Sequence, residues 1–293
     1  MAPARYLVPY ILITAFAYVV AKDALSRSSP LVYGALTSLL MTMALFAAAG
    51  RFRPVLNRDT LLFSLFYWLS GVTWLVGLDY ISSAQSAIVS FTMPLFTIPL
   101  AFLVLRERGS RLEVYGAVVG FAGIVVFNLP LVTGRSTALG VGLTLADAFF
   151  WALYSVYMRK LRHRDTLQTL ATASLFSFVL YSVFSLGDFS LIPSLDLAAD
   201  VLFLGLVSGA LTFYLWMALI KVEKVGRLTT VIFVAPIITL VYGVATTGVI
   251  PNYITLGGVA LIFLGIVMAN YLAAREVEPS SVADATPNPG RAS

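Results

Sequence analysis

The 293-residue chain contains no cysteine and a single histidine, and only 11% of its residues are charged. Without cysteine there is no disulfide, no thiolate metal ligand and no cysteine nucleophile. His163 lies among Arg162, Arg164 and Asp165, a charged run that is typical of a solvated loop. The charged fraction is far below the roughly 25% that is usual for soluble domains, so the chain is not expected to fold in water.

Motifs for nucleotide and nucleic-acid binding are missing as well. No GxxxxGK[ST] phosphate-binding loop occurs, so ATP is not expected to drive this protein. No lysine or arginine lies deep inside an apolar run, which disfavours substrates that carry phosphate. The net charge of +5 comes from basic residues scattered through short connections, which indicates membrane orientation better than nucleic-acid binding. We therefore predict no cofactor, no metal and no nucleic-acid partner.

Long apolar runs dominate the chain, which is 59% hydrophobic and has a mean hydropathy of +0.92. A helix crosses a bilayer with about 20 apolar residues, and ten such runs fit between the polar connections. The predicted fold is an all-α membrane protein with ten transmembrane helices in a lipid bilayer. The predicted spans are residues 5–22, 30–50, 60–79, 84–105, 112–132, 138–158, 166–187, 198–220, 226–248 and 252–273.

The basic residues indicate how these helices are oriented. If the N-terminus is cytoplasmic, 16 of the 19 Lys and Arg residues fall in cytoplasmic segments, as the positive-inside rule requires. An even number of spans then places both termini in the cytoplasm, and we expect a multi-pass protein of a bacterial inner membrane. Residues 274–293 are rich in Glu, Pro, Ser and Asn and are predicted to form a disordered cytoplasmic tail.

The two halves of the chain resemble each other at a constant offset of 142 positions. Paired prolines, glycines and asparagines at one offset are rarely accidental, and they predict a first repeat over 1–132 and a second over 133–273. Each repeat has five helices, an odd number, so the second copy enters the membrane inverted. Inverted repeats are typical of secondary transporters, whose site lies near the midplane. The matched pairs include Val89 and Val231, Pro94 and Pro236, Gly116 and Gly258, Gly123 and Gly265, and Asn128 and Asn270.

This arrangement resembles the drug/metabolite transporter superfamily, in particular its bacterial EamA-type members. The resemblance covers residues 5–273 and is most family-like from Phe91-Thr92-Met93-Pro94-Leu95 through Arg106-Glu107-Arg108. It implies two five-helix halves and the export of small metabolites. Within the superfamily the chain resembles YddG-like exporters, which implies a neutral or aromatic amino acid, or a related amine, as the small-molecule substrate.

Asp147 is a carboxylic acid in the middle of the sixth predicted span. An ionised side chain there costs at least about 2.5 kcal/mol on an isolated helix, which makes it a candidate functional group. It is the counter-ion of a substrate ammonium, a proton carrier, or the partner in a structural hydrogen bond between helices. Trp151 and Tyr154 follow at i+4 and i+7 on the same helix face, a pattern that suits an aromatic or cationic amine.

Hydroxyl and aromatic side chains on other predicted helices extend this candidate site. Each one alone is more typical of ordinary helix packing, but together they outline a cavity of rings and hydroxyls. The predicted binding residues are Tyr10, Thr14 and Tyr18 on the first helix, Tyr67 and Trp74 on the third, Ser86, Ser90 and Thr97 on the fourth, and Asp147, Trp151 and Tyr154 on the sixth.

Pro94 and Pro236 fall near the centres of the fourth and ninth spans, where a proline removes a backbone hydrogen bond. We predict that they are hinges between the halves, with a static kink as the alternative. The predicted function is secondary transport by alternating access, with protons as a second candidate partner.

Two other classes of protein are weighed against a carrier. A channel or facilitator pore would need rings of polar residues from several subunits, and the inverted repeat speaks against it. An intramembrane serine protease would need a histidine beside a buried serine, but His163 lies in a predicted loop. The sequence therefore favours a carrier that is not an enzyme, and it carries no signal for the oligomeric state.

Overall fold

A computed structural model describes six stretches of the chain. Within them every regular element is a helix, apart from an isolated β-bridge between Ser28 and Leu191. The predicted tail at 274–293 and the motif residues 106–108 lie outside the described part. The described residues are 4–105, 111–130, 134–161, 165–222, 234–248 and 250–268.

The described residues form twelve α-helices and one π-helical segment. Several helices begin where the sequence supplies an N-cap, a side-chain oxygen that accepts a hydrogen bond from the backbone N–H three residues later. These caps are Asn57, Ser82, Asp165, Ser194 and Asn252. The elements are α1 (Ala4–Ala24), α2 (Pro30–Ala48), α3 (Arg58–Tyr80), α4 (Ser83–Ser90), α5 (Met93–Leu105), α6 (Arg111–Asn128), α7 (Arg135–Lys160), α8 (Thr166–Ser185), α9 (Leu195–Leu202), the π segment (Phe203–Leu211), α10 (Thr212–Val222), α11 (Val234–Thr247) and α12 (Tyr253–Val267).

Seven helical stretches of the described part are long and apolar enough to cross a membrane. Two of them are composite: α4 and α5 together form the stretch Ser83–Val104, and α9, the π segment and the start of α10 form Leu195–Trp216. The helices α6, α11 and α12 are shorter and lie within the fifth, ninth and tenth predicted spans. The predicted all-α membrane fold is confirmed, and ten complete spans stay a prediction.

The fourth predicted span is interrupted at its centre. Helix α4 ends at Ser90 and α5 begins at Met93, with Phe91 and Thr92 in a turn between them. Pro94 is therefore the second residue of α5, in a first helical turn, where its missing N–H leaves no intrahelical bond unmade. The sequence predicted a hinge at Pro94, with a static kink as the alternative. The chain ends one helix and starts another just before the proline, and the hinge stays a prediction.

The eighth predicted span contains the π segment, which packs against α2. Thr212 donates its hydroxyl to the carbonyl of Val207 at 3.0 Å, a bond five residues back along the chain. A Cβ on Gly205 would lie 2.9 Å from the carbonyl oxygen of Thr37, so only glycine permits this close approach. Short π-helical stretches occur frequently at functional sites.

Helices α6 and α12 pack backbone to backbone through glycine. A Cβ on Gly123 would lie 2.5 Å from the amide nitrogen of Ile262, and one on Gly265 would meet the backbone of Gly120. Glycine at such positions lets two helices approach closely in a membrane. These glycines therefore serve the close packing of α6 on α12.

Two ties join the halves at opposite ends of α2 and α8. The first tie links the α1–α2 connection to the α8–α9 connection. Ile192 N donates to Arg27 O at 2.7 Å, and Ser29 N donates to Ser190 O at 2.9 Å. A guanidinium nitrogen of Arg27 also lies 3.5 Å from a carboxylate oxygen of Asp196. The backbone bonds matter more here, because exposed ion pairs contribute at most about 1 kcal/mol.

The second tie links the α2–α3 connection to the start of α8. Arg51 Nη2 lies 2.7 Å from Asp165 Oδ2, and Gln168 Nε2 donates to Arg51 O at 3.2 Å. Val55 N donates to Thr172 Oγ1 at 2.9 Å. Partial burial raises the pKa of Asp165, but hydrogen bonds from the Gln168 amide and Arg51 outweigh it and leave the pKa below its usual value.

Candidate functional site

A cavity lies between α1, α2, α3, α7, α8, the π segment and α10. The space in it that protein atoms do not fill, its opening included, is about 1080 Å³. Helices from both predicted halves form its wall. Eight of the eleven predicted binding residues line it, namely Tyr10, Thr14, Tyr18, Tyr67, Trp74, Asp147, Trp151 and Tyr154.

The three predicted residues of the fourth span, Ser86, Ser90 and Thr97, are not part of the cavity wall. Ser90 lies behind the wall and bonds Asp147. Ser86 is fully buried, and its hydroxyl finds no partner in the described part of the chain. Thr97 donates to the carbonyl of Met93, one turn earlier in its own helix. Helix α4 packs on α1, α3 and α7, and α5 packs on α7, so both contact helices that form the wall.

Asp147 is the centre of a buried hydrogen-bonded group. The residue is 4% exposed. Ser70 of α3 donates to its Oδ1 and Ser90 of α4 donates to its Oδ2, both at 2.6 Å. Within the described ranges no basic side chain forms an ion pair with it. A buried carboxylate needs partners, so this group suits a cationic ligand.

Ser70 was not among the predicted residues, although the sequence contained a signal for it. It lies three residues after Tyr67 and four before Trp74, so all three side chains share one face of α3. The cavity wall contains both Tyr67 and Trp74 as well as Ser70. Helical spacing from the two aromatic residues would have identified the hydroxyl.

Aromatic rings close one end of the cavity. Tyr10 of α1 stacks on Trp216 of α10 with ring centroids 5.3 Å apart. Tyr67 meets Tyr154 at 5.7 Å and Phe213 at 5.3 Å, both edge to face. Such ring pairs add about 0.5–1.5 kcal/mol each beyond burial. We call these five residues, Tyr10, Tyr67, Tyr154, Phe213 and Trp216, the ring floor.

Sequence reasoning missed Phe213 and Trp216. They follow Thr212 at i+1 and i+4, so the three positions lie on neighbouring faces of α10. The first half of the chain supplies hydroxyl and aromatic side chains against which α10 can pack. The face of α10 that contacts them depends on the π segment before it. That extra residue per turn changes the direction of every side chain that follows.

A second aromatic group surrounds Asp147. Tyr18 of α1 meets Trp74 of α3 edge to face at 5.3 Å, and Phe91 meets Trp151 of α7 at 5.4 Å. Tyr18 and Phe91 are 6.1 Å apart. Tyr18, Trp74 and Trp151 also line the cavity, so the carboxyl opens into a space bordered by ring faces and edges.

Tyr181 of α8 packs directly over two glycines. A Cβ on Gly34 would lie 2.6 Å from its ring carbon Cε1, and a Cβ on Gly71 would lie 2.7 Å from its hydroxyl oxygen. All three residues line the cavity. The ring position therefore depends on the absence of side chains on α2 and α3.

Two polar atoms of the cavity wall without hydrogen-bond partners suit a ligand that carries uncharged polar groups. Trp74 Nε1 and Ser177 Oγ are buried and find no hydrogen-bond partner within the described stretches, and both residues line the cavity. Buried donors are nearly always bonded, so these two fit a ligand that carries acceptors. The sequence analysis missed further hydroxyl-bearing residues of the wall, namely Thr37, Ser38, Ser177, Tyr181, Ser208 and Thr212.

Known proteins resemble the chain over most of its length. An uncharacterized transporter in the sor 3′ region of Acidianus ambivalens is 37% identical over 73% of this chain and 84% of its own length. The uncharacterized transporter YvbV of Bacillus subtilis is 27% identical over 75% of this chain and 76% of its own. A probable amino-acid metabolite efflux pump of Salmonella typhimurium is 26% identical over 58% of this chain and 62% of its own.

A solved crystal structure has the same fold, with a TM-score of 0.69 over 93% of this chain and 98% of the other chain, at 21% identity. The model of the EamA-like transporter family matches residues 6–129 and again residues 138–271. The same family pattern thus occurs twice, once in each predicted half. With these two matches the chain belongs to the EamA-like transporter family of the drug/metabolite transporter superfamily.

Proposed function

We propose that this protein is a secondary transporter that exports neutral or aromatic amino acids, or related amines, across a bacterial inner membrane by alternating access. Its ten spans form two inverted repeats, 1–132 and 133–273, with both termini and the 274–293 tail in the cytoplasm. Protons are the candidate coupling partner. The observation that most supports this function is the cavity between the two halves, whose wall combines the buried acid Asp147 with aromatic rings.

Contacts between α6 and α12 support the inverted repeat. Exchanging the halves moves each residue by 142 positions, so the contact of Gly123 with Ile262 becomes the contact of Gly265 with Gly120. Both contacts are present. A two-fold axis in the membrane plane that relates the halves accounts for this pair.

The arrangement of the helices supports the same symmetry. Exchange of the halves converts the packing of α3 on α7 into that of the eighth span on α1, and α10 and the π segment do pack on α1. It likewise converts the packing of α3 on α8 into that of the π segment on α2, which is also present. The first tie and the second tie exchange in the same way.

The two ties support a specific division into fixed and moving parts. They hold α2 and α8 together at both ends, so this pair does not separate when the cavity opens. The movement that opens the cavity would then involve other helices, such as those of the interrupted fourth span. Pro94 is the second residue of α5 and Pro236 the third of α11, and we propose both positions as hinges.

The cavity wall supports the substrate class. Rings and hydroxyls form most of it, which suits a small molecule with an aromatic or aliphatic body and a few polar groups. Asp147 would serve as counter-ion for a substrate ammonium. One relative is described as an amino-acid metabolite efflux pump, which agrees with the amino acids and amines proposed here.

Counterflow in proteoliposomes tests the function. Vesicles loaded with unlabelled tryptophan or tryptamine should accumulate the labelled compound transiently, with saturable initial rates, and protein-free vesicles should not. Flux that rises linearly with the gradient and shows no counterflow would indicate a pore and overturn the proposal.

Topology is tested by cysteine labelling, because the chain contains no native cysteine. Ala2→Cys and Ser293→Cys should both react with an impermeant maleimide only after the cytoplasmic side is exposed. Ser26→Cys and Arg53→Cys, next to the first and second ties, should react from opposite sides. Termini on opposite faces of the membrane would contradict the inverted repeat.

A further inference from the structure

The described wall of the cavity contains an acidic side chain and no basic one. Of the described residues that line the cavity, Asp147 alone has a carboxyl, ammonium, guanidinium or imidazole group, and the others are aromatic, aliphatic, methionine, glycine or hydroxyl side chains. Its two carboxyl oxygens each accept one serine hydroxyl. Since hydroxyl bonds neutralise no charge, a ligand cation is the natural partner.

The surroundings of Asp147 suit an ammonium in a second way. Trp151 follows Asp147 by one turn on α7, and Trp74 follows Ser70, which donates to the carboxyl, by one turn on α3. Both tryptophans border the cavity. Indole faces attract cations, and the attraction grows where water is excluded. An ammonium at this position therefore meets an anion and electron-rich rings together.

The ring floor borders the same cavity and is separated from Asp147 along α7. Tyr154 follows Asp147 by seven residues on α7, which is about 10 Å along the helix axis. Tyr10 and Trp216 stack at the same end. Asp147 and the ring floor are thus two separate parts of one cavity wall.

We propose that this cavity selects monocationic aromatic amines over the corresponding zwitterionic amino acids, with the ammonium at Asp147 and the aromatic ring on the ring floor. The inference rests on the proposed transport function and narrows its substrate class.

The discrimination follows from where the carboxylate of an amino acid would lie. It is attached to the carbon that carries the ammonium, so binding the ammonium at Asp147 brings two carboxylates close together. Like charges repel strongly in a water-poor site, and the described wall offers no cation to offset this. The unpartnered donors Trp74 Nε1 and Ser177 Oγ are uncharged, so they bring no positive charge that would offset this repulsion.

Four indole compounds with different charged groups on the same two-carbon side chain test the inference with the full-length protein. Tryptamine and tryptophanamide are cations, tryptophan is a zwitterion, and indole-3-propionate is an anion. Affinity is measured by titration calorimetry in detergent, and transport by counterflow with protein-free vesicles as background. We expect the two cations to bind roughly tenfold or more tightly than tryptophan, and the anion not to bind.

Asp147→Asn should remove this preference, so that the cations and tryptophan bind alike. Asp79→Asn is the matched control, since Asp79 is an exposed acid at the end of α3 outside the cavity, and it should keep the wild-type order. The wild-type comparison stands even if Asp147→Asn does not fold.

The outcomes separate the inference from the proposed function. Tryptophan bound and exchanged as well as tryptamine would overturn the amine inference and leave the transporter standing. Counterflow of a neutral solute without any binding of the two cations would do the same. Absence of saturable exchange for every compound would overturn the proposed function instead.

Discussion

Ser90, the last residue of α4, donates a 2.6 Å hydrogen bond to Oδ2 of Asp147 on α7. The chain leaves the helix directly after this serine and resumes as α5 two residues later. The interruption of one half of the protein is thus connected to the buried acid of the other half. Movement of α4 would alter the environment of the carboxyl without any contact to the substrate.

Ser90→Ala is expected to weaken transport and leave the protein folded. The carboxylate loses one of its two donors, and a hydrogen bond to a charged group contributes about 1.5–3 kcal/mol. Apparent affinity for a cationic substrate should fall roughly tenfold, as measured by counterflow at varied concentration. Ser64→Ala is the control, because the hydroxyl of that buried serine donates to the carbonyl of Thr60 in its own helix. Equal affinities in the two variants would show that Ser90 does not support Asp147.

Asp147→Asn is expected to abolish transport or to remove its dependence on pH. In the wild type, acid protonates the carboxyl and removes its attraction for an ammonium, so flux of a cationic substrate should fall as the pH is lowered. Asparagine cannot titrate, so its residual flux should be flat. Initial rates from pH 5 to pH 8 measure this. Wild-type rates at every pH in the variant would reduce Asp147 to a structural residue.

Gly71→Ala and Gly34→Ala should both impair transport, but only one should be rescued by Tyr181→Phe. The new methyl of Gly71→Ala meets the Tyr181 hydroxyl at 2.7 Å, and the next ring atom is 3.8 Å away. The methyl of Gly34→Ala meets the ring itself at 2.6 Å. Tyr181→Phe removes the hydroxyl oxygen that the Gly71→Ala methyl meets, but it leaves the ring that the Gly34→Ala methyl meets. The overpacking strain should therefore be relieved only in the first case. Counterflow rates of the two double variants measure the difference, and equal rescue would contradict this packing.

Two adjacent glycines of α12 should respond in opposite ways. A Cβ on Gly258 would meet the backbone of Phe127 in α6, whereas one on Gly257 would meet nothing within 4 Å. Gly258→Ala should therefore cost roughly 1–3 kcal/mol of stability through overpacking. Gly257→Ala should be neutral or stabilising, since alanine favours helix. Thermal unfolding in detergent compares them, and similar melting temperatures would refute the contact.

Pro94→Ala is expected to slow turnover more than it weakens binding. Alanine restores an N–H and permits a longer helix across the interruption after Ser90, so the fourth span should bend less readily. Turnover comes from counterflow and affinity from calorimetry on the same preparation. Pro99→Ala, in the same helix α5, is the control. A variant with unchanged turnover and affinity would argue against a hinge.

Local sequence properties were sufficient for much of this protein. Apolar runs and caps determine helices, since a buried backbone in lipid must satisfy its own hydrogen bonds. The position of Asp147, Trp151 and Tyr154 on one helix face was also predictable, because an α-helix repeats every 3.6 residues. The structure places all three on one cavity wall.

Tertiary structure alone decided which faces meet. Ser86 and Thr97 carry hydroxyl groups at helical spacing, as the residues of the cavity wall do. On α4 and α5, however, they lie outside that wall. Trp216 and Tyr181 reach it because the π segment rotates α10 and because Gly34 and Gly71 leave room for a ring. Helical periodicity relates residues of one helix to each other, whereas the rotation of one helix against another is set by side-chain packing between segments far apart in the chain.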